Sequence, residues 1–412
     1  MSVIRPFRAI RPQKEYAARV AALPYDVMNS AEAREKVKGN PYSFIHVDKA
    51  EVDLPVGTDL YSDAVYAKAA ENLRKLSEEG VCFTEDAPRL YLYRQTWNGV
   101  TQTGVVGCAA VDDYLKGVIK RHELTRADKE QDRIRHVDTC NANTGPIFLA
   151  YRRSGAIDAV IDKYTATAPE YDFVSEGGVQ NTVWVIGDPA DVAALEEGFR
   201  GVTSLYIADG HHRAASAVKV ALKRREENPG YTGDEEFNFF LAVYFRAGEL
   251  KILDYNRLLK DTGGLTDEEL FAKLGQVFDI KKSDAPVKPA ARHTFGMYYK
   301  AQWYALTLKN GLCDENDPVA SLDVSLLQTL VNEPIFDIGD PRTDQRIDFV
   351  GGIRGLAELE KRCREDMALA FSLYSTQLTE LMAIADAGQI MPPKSTWFEP
   401  KLLSGLFIHP LS

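Results

Sequence analysis

Apolar residues recur at near-helical spacing between Asp63 and Glu79, where Ala64, Ala67, Ala70, Leu73 and Leu76 fall close to one face. That spacing predicts an amphipathic helix. A shorter helix is expected from Ser30 to Lys38, after the turn-like Leu23-Pro24-Tyr25-Asp26. Arg89 to Gln95 and Gly99 to Thr103 flank Trp97-Asn98-Gly99, the signature of a β-hairpin. Val105 to Val111 reads as a further strand, closed by Asp112-Asp113. The middle of the chain alternates. Thr182 to Ile186 is a strand, Ala190 to Phe199 a helix, Val202 to Ala208 a strand, and His211 to Arg225 a helix. Asn238 to Arg246 is a near-continuous apolar strand, as when both faces of a sheet are covered. Such alternation predicts a layered α/β (mixed α+β) architecture. A boundary is expected at Asp261-Thr262-Gly263-Gly264, dividing 1–260 from 261–412. Beyond it come a helix (Asp267 to Phe278), the lysine-bearing stretch Lys281 to Arg292, and strands at His293 to Tyr299 and Trp303 to Leu308. A helical region (Asp323 to Asn332), a strand (Ala368 to Leu373) and a helix (Thr376 to Ala387) complete the pattern.

Composition narrows the class. The 412 residues are 45% hydrophobic and 26% charged, which is globular rather than disordered and enough for two or three domains. There is no internal repeat and no low-complexity tract. The net charge of −11 makes DNA, RNA and anionic membranes unlikely partners. The five cysteines (Cys82, Cys108, Cys140, Cys313, Cys363) are scattered and form no C-x-x-C pair, so reduced thiols are expected. No apolar run reaches the ~18 residues of a membrane span, and Met1 to Phe7 lacks a signal-peptide core. A cytoplasmic location is expected.

The candidate chemistry concentrates in Leu205-Tyr206-Ile207-Ala208, then Asp209-Gly210-His211-His212-Arg213, then Ala214-Ala215. A buried strand ends at a glycine turn and a helix begins, so the first helical N–H groups are left without intrahelical acceptors and form an anion site. Gly210 permits close approach of a ligand, and His211, His212 and Arg213 add donors. Asp209 is placed to hold Mg²⁺ or to accept a proton. The competing interpretation is that Asp209 only caps the helix. Zinc on His211 and His212 is disfavoured, because adjacent residues rarely both ligate one ion. Ile119 to Asp138 is densely charged, with a helix expected from Arg126 to Val137. It is either a solvated face laced with ion pairs or, through His122, Glu123 and Arg126, part of a site.

The Asp209-to-Arg213 segment resembles the phosphate-binding signature of the ParB/sulfiredoxin superfamily. It is most similar to the D-G-H-x-R form of the ParB-like free serine kinases. The whole chain resembles a bacterial family, domain of unknown function 1015, often labelled SpoOJ/ParB-like. The resemblance is carried by Arg5-Pro6-Phe7-Arg8, Pro24-Tyr25-Asp26-Val27, His122-Glu123 with Arg126, Asp132-Arg133, Asp209 to Arg213, and Met391 to Lys401. It implies a ParB/sulfiredoxin-like nucleotide-binding region over 1–260 and a C-terminal α/β domain over 261–412 packing on the site. It also implies a carboxylate that activates a serine hydroxyl while the histidine–arginine loop holds nucleotide phosphates. Asp209, Gly210, His211 and Arg213 match that motif position by position, and His212 stands where it varies. Glu123 is the candidate upstream glutamate, with His122 beside it, and Tyr25, Asp26 and Arg126 are candidate substrate contacts. Where sulfiredoxin has its reactive cysteine this chain has Gly210, which argues against sulfinic-acid repair. No helix-turn-helix of the partition proteins is found.

Pro392-Pro393-Lys394-Ser395-Thr396 is a second candidate loop, in which Lys394, Ser395 and Thr396, with Lys401, would donate hydrogen bonds to phosphate or carboxylate. The alternative is an ordered loop that packs Trp397 and Phe398. Pro24-Tyr25-Asp26 and Asn141-Ala142-Asn143-Thr144-Gly145-Pro146 are polar turns able to line the same cleft. The expected activity is phosphoryl transfer between a nucleotide (ATP or ADP, with CTP a further option) and a small hydroxylated metabolite such as L-serine, with Mg²⁺. The alternatives are a phosphoserine-directed phosphatase and a ParB-like nucleotide-binding switch or DNA-partition-related regulator without small-molecule catalysis.

Overall fold

The computed structural model describes residues 1–412. The chain forms two compact units, Met1–Leu250 with Pro400–Ser412, and Lys251–Glu399. The first unit thus ends before the Asp261-to-Gly264 turn, which is an ordinary connection within the second. It also takes back thirteen residues from beyond the second.

A nine-stranded mixed sheet organises the first unit. Its strands are β1 (Ile4–Arg5), β2 (Leu90–Trp97), β3 (Val100–Ala110), β4 (Ile119–Lys120), β5 (Ile147–Tyr151), β6 (Tyr171–Val174), β7 (Gln180–Ile186), β8 (Leu205–Asp209) and β9 (Phe239–Arg246). The order is β4-β8-β5-β9-β3-β2-β7-β6, with β1 against β3. Only β4/β8 and β5/β9 are parallel pairs. β2 and β3 are joined by Asn98-Gly99 with φ of 48° and 74°, the left-handed backbone a two-residue hairpin requires. The strand expected at Val105 is the continuation of β3 past Gly104 and Gly107. These glycines do not break it, because Val243 and Ile4 side chains fill the space their Cβ atoms would take.

The five longest helices of this unit are α1 (Asp63–Glu78), α2 (Ala127–Cys140), α3 (Gly155–Thr165), α4 (Pro189–Arg200) and α5 (His211–Glu227). The core gathers Leu92, Val105, Leu149, Ile157, Leu195, Phe199, Ile207, Phe240 and Tyr244. α5 sits on the sheet through the small buried Ala214, Ala217, Val218 and Ala221. Ser216 Oγ donates to the Glu130 carbonyl at 3.1 Å and ties α5 to α2. The returning segment is part of the same fold: Ile408 pairs with Ile10, and His409–Pro410 with Ala142–Asn143.

The second unit is a six-stranded antiparallel sheet, in the order Phe278–Ser283, Gln302–Leu308, Thr294–Tyr299, Leu369–Leu373, Tyr255–Leu259, Ile347–Gly351. Leu258, Tyr298, Trp303, Val350 and Leu359 form a core within it. The helix expected from Asp323 is α-helical over Asp323–Leu327, π-helical over Gln328–Asn332 and α-helical again over Glu333–Phe336. No helix of the protein is long and apolar enough to cross a membrane.

Candidate functional site

β8 is an inner strand, and it ends irregularly. Its pairing with β5 runs Ile207 to Leu149 and then Asp209 to Phe148, leaving Ala208 as an extra residue. A bulge of this kind re-aims the side chain that follows it. Gly210 then adopts φ 94°, and α5 starts at His211. No side chain caps α5 and no acidic residue occupies its first turn. The first amide to bond within the helix is that of Ala214, to the Gly210 carbonyl. The preceding turn is therefore a cluster of donors at the positive end of the helix dipole.

Asp209 is tightly held. Its Oδ1 accepts from the Gly210 amide at 2.8 Å, and its Oδ2 lies 3.0 Å from Lys401 Nζ and 4.0 Å from Arg213 Nη2. Burial opposes its ionisation, but Lys401, Arg213 and the Gly210 amide outweigh burial and hold the carboxyl well below the usual range. A metal ion on Oδ2 would have to displace Lys401.

Arg213 reaches from α5 into a small pocket that opens to solvent. Pro24, Tyr25, Asp48, Arg133, Asn143, Thr144, Gly145 and Ser404 share its lining. Arg213 Nη1 donates to the Pro146 carbonyl at 2.5 Å, while its Nε is buried without an acceptor. Arg133 lies 4.0 Å over the Tyr25 ring and pairs with Asp132 at 2.9 Å. Burial works against both guanidinium charges. Asp209 and Asp26 compensate at Arg213, and Tyr25, Asp132 and Asp48 at Arg133, so both pKa values are raised. Two cations and the hydroxyls of Thr144 and Ser404 thus surround one small space, and the Ser404 Oγ has no partner.

On the other side of the turn, His211 Nδ1 is 3.7 Å from Glu123 Oε2, and the His122 and His211 rings meet edge to face at 4.4 Å. Both histidines are buried. Burial pushes the His122 imidazole down to about 4, and burial with His122 alongside pushes His211 down as well. Both nitrogens of His122 and Nε2 of His211 lack a hydrogen-bond partner. The Ile207 main chain approaches His122 without hydrogen-bond geometry. Each orphaned buried polar atom costs about 1–3 kcal/mol.

The remaining expected site residues divide. His212 Nε2 accepts from the Arg126 amide at 3.1 Å, so Arg126 meets the turn by its main chain, while its exposed guanidinium pairs with Asp128. Asp26 is exposed, and its charge bears on His212 and Arg213. Lys394, Ser395 and Thr396 belong to the second unit. There Lys394 lies 5.7 Å over the Tyr255 ring, and the buried Ser395 donates to the Pro392 carbonyl at 2.6 Å. Phe398 is buried, and Trp397 packs on Tyr255 at 5.4 Å. Asp48 and Ser404 carry no local sequence signal, and Arg133 stands out only within the Asp132-Arg133 pair.

Fold and site together define a mixed α/β protein with a cationic pocket at a strand–turn–helix junction. The chain belongs to the family described as protein of unknown function (DUF1015), which it matches over residues 4–325. Among solved structures it is similar to a free serine kinase mutant in complex with AMP, with 14% identity, a TM-score of 0.36, and coverage of 72% of this chain and 86% of that one. It is also similar to a conserved hypothetical protein from Pyrococcus furiosus (14% identity, TM-score 0.34, 74% and 94% coverage). A third is SbnI with a C-terminal truncation from Staphylococcus aureus (10% identity, TM-score 0.37, 73% and 85% coverage). No curated protein matches the chain.

Proposed function

We propose that the Asp209-to-Arg213 turn binds the phosphates of a nucleotide, and that the protein transfers a phosphoryl group between that nucleotide and a small hydroxylated metabolite. One observation carries this reading: two guanidiniums, Arg133 and Arg213, line one pocket beside the uncapped start of α5. Phosphoryl transfer depends mostly on positioning and charge neutralisation, and this arrangement supplies both. Arg213, Arg133, His211, His212 and the turn amides hold the phosphates. Asp209 is a poor proton acceptor beside Lys401 and Arg213, and it fixes those cations instead. The His122–Glu123–His211 group is left to receive the hydroxyl proton. Tyr25 and Asp26 contact the metabolite. The D-G-H-x-R resemblance points to an adenine nucleotide and L-serine. Mg²⁺ would enter with the nucleotide, since Asp209 offers it a ligand only if Lys401 gives way.

The test is transfer of labelled phosphate from ATP, ADP or CTP to serine and other hydroxylated metabolites, alongside nucleotide binding by calorimetry. Transfer that is lost in Arg213→Ala and Arg133→Ala is expected. Tight nucleotide binding with no transfer to any acceptor would leave a switch in place of an enzyme.

A further inference from the structure

His122 and His211 are 2% and 6% exposed, yet three of their four ring nitrogens make no hydrogen bond, the Ile207 main chain near His122 being out of hydrogen-bond geometry. The fourth, His211 Nδ1, faces a carboxylate oxygen of Glu123 at 3.7 Å. One ligand atom from each of the three residues lies within 4.8 Å of the other two. His122 and Glu123 are sequence neighbours, and a bend in the chain at Glu123 turns both side chains to one side.

We propose that His122, Glu123 and His211 form a three-ligand site for a divalent transition-metal ion of the Zn²⁺ class, with a fourth position open. Zinc bonds to imidazole nitrogen and carboxylate oxygen are about 2.0–2.2 Å long, so ligand atoms of a tetrahedral site stand about 3.4 Å apart. The His211–Glu123 edge already meets this within a few tenths of an ångström. The widest edge must close by at most about 1.4 Å. Glu123, whose side chain is 44% exposed, is the member nearest solvent. Buried neutral imidazoles offer the lone pairs that a metal needs. Two nitrogens, one carboxylate and a vacant position are the donor set of catalytic rather than structural zinc. Mg²⁺ prefers oxygen ligands and fits poorly. The site deepens the reading above: a substrate hydroxyl in the open position would be acidified by the ion, which replaces direct proton acceptance by the three side chains. Metal binding itself does not depend on that reading.

Full-length protein, stripped with a chelator and dialysed, is titrated with Co²⁺ and Zn²⁺. One equivalent should bind, with a tetrahedral Co²⁺ absorption spectrum that Zn²⁺ abolishes and Mg²⁺ does not. His122→Ala should cost at least about 100-fold in Zn²⁺ affinity and Glu123→Gln about tenfold. His212→Ala, adjacent but outside the cluster, should bind as wild type does. Anomalous scattering at the zinc edge from wild-type crystals should place the ion between His122 and His211, whether or not any variant folds. Absence of stoichiometric binding, or equal affinity in wild type, His122→Ala and Glu123→Gln, overturns the site. Metal bound without phosphoryl transfer leaves the site standing and removes the kinase reading. Transfer by protein that binds no metal does the reverse.

Discussion

Arg213 is the residue on which the most depends. It lines the pocket, neighbours Asp209 and is fixed by the Pro146 carbonyl. A hydrogen bond to a charged group is worth about 1.5–3 kcal/mol, so Arg213→Ala should weaken nucleotide binding about 10- to 100-fold by calorimetry. Unchanged affinity would show that the phosphates bind elsewhere. Gly210 carries the conformational demand. A Cβ there would meet Arg213 Nε at 3.2 Å on a backbone with φ 94°. Gly210→Ala should cost about 1–3 kcal/mol in urea unfolding. His122 sets a pH dependence in metal-free protein. Its imidazole titrates near 6.5 when unfolded and near 4 when folded. Between those values the unfolded chain binds the proton and the folded one does not. Stability that is complete above about pH 6.5 is therefore lost as pH falls toward 4. His122→Gln should flatten that slope in unfolding curves recorded across the window.

Among the elements, the second hairpin strand shows what the chain reveals of itself and what it hides. Asn98-Gly99 announces its turn because few residues accept two successive left-handed conformations. Gly104, by contrast, reads as a break between two strands, and only the neighbouring strand explains it. A Cβ on Gly104 would stand 2.5 Å from Val243 Cγ1. Gly104→Ala should therefore cost about 1–3 kcal/mol, and Val243→Ala in the same chain should recover part of it. The junction of β8 with α5 was legible for a similar reason, since apolar run, Asp-Gly and small helical residues are all local. The bulge at Ala208 was not legible, because it exists only in the pairing with β5. β5 itself carries no such mark: Ile147–Tyr151 is five buried residues with no alternation. The pocket needed tertiary information altogether, as Asp48, Arg133, Arg213 and Ser404 come from four distant segments.

At the scale of the whole chain, the first unit is discontinuous, and Pro400–Ser412 completes it. Leu402, Leu403, Leu406, Phe407, Ile408 and Leu411 are all buried there. At about 1.5–3 kcal/mol per buried side chain, they contribute about 10 kcal/mol or more, comparable with the entire stability of a domain. A chain ending at Glu399 should consequently give no cooperative melting transition for the first unit and should be cut rapidly by protease. The same segment supplies Lys401, the counter-charge of Asp209. On a ribosome adding about 5–20 residues per second, the Asp209 turn would emerge and wait on the order of ten seconds while the second unit is made. During that interval the carboxylate lacks its lysine and β-strand partners near the N-terminus lack Ile408. The nascent protein thus has a window in which the turn proposed to receive phosphate exists without its full charge balance, and a chaperone or an early-bound anion would find it open.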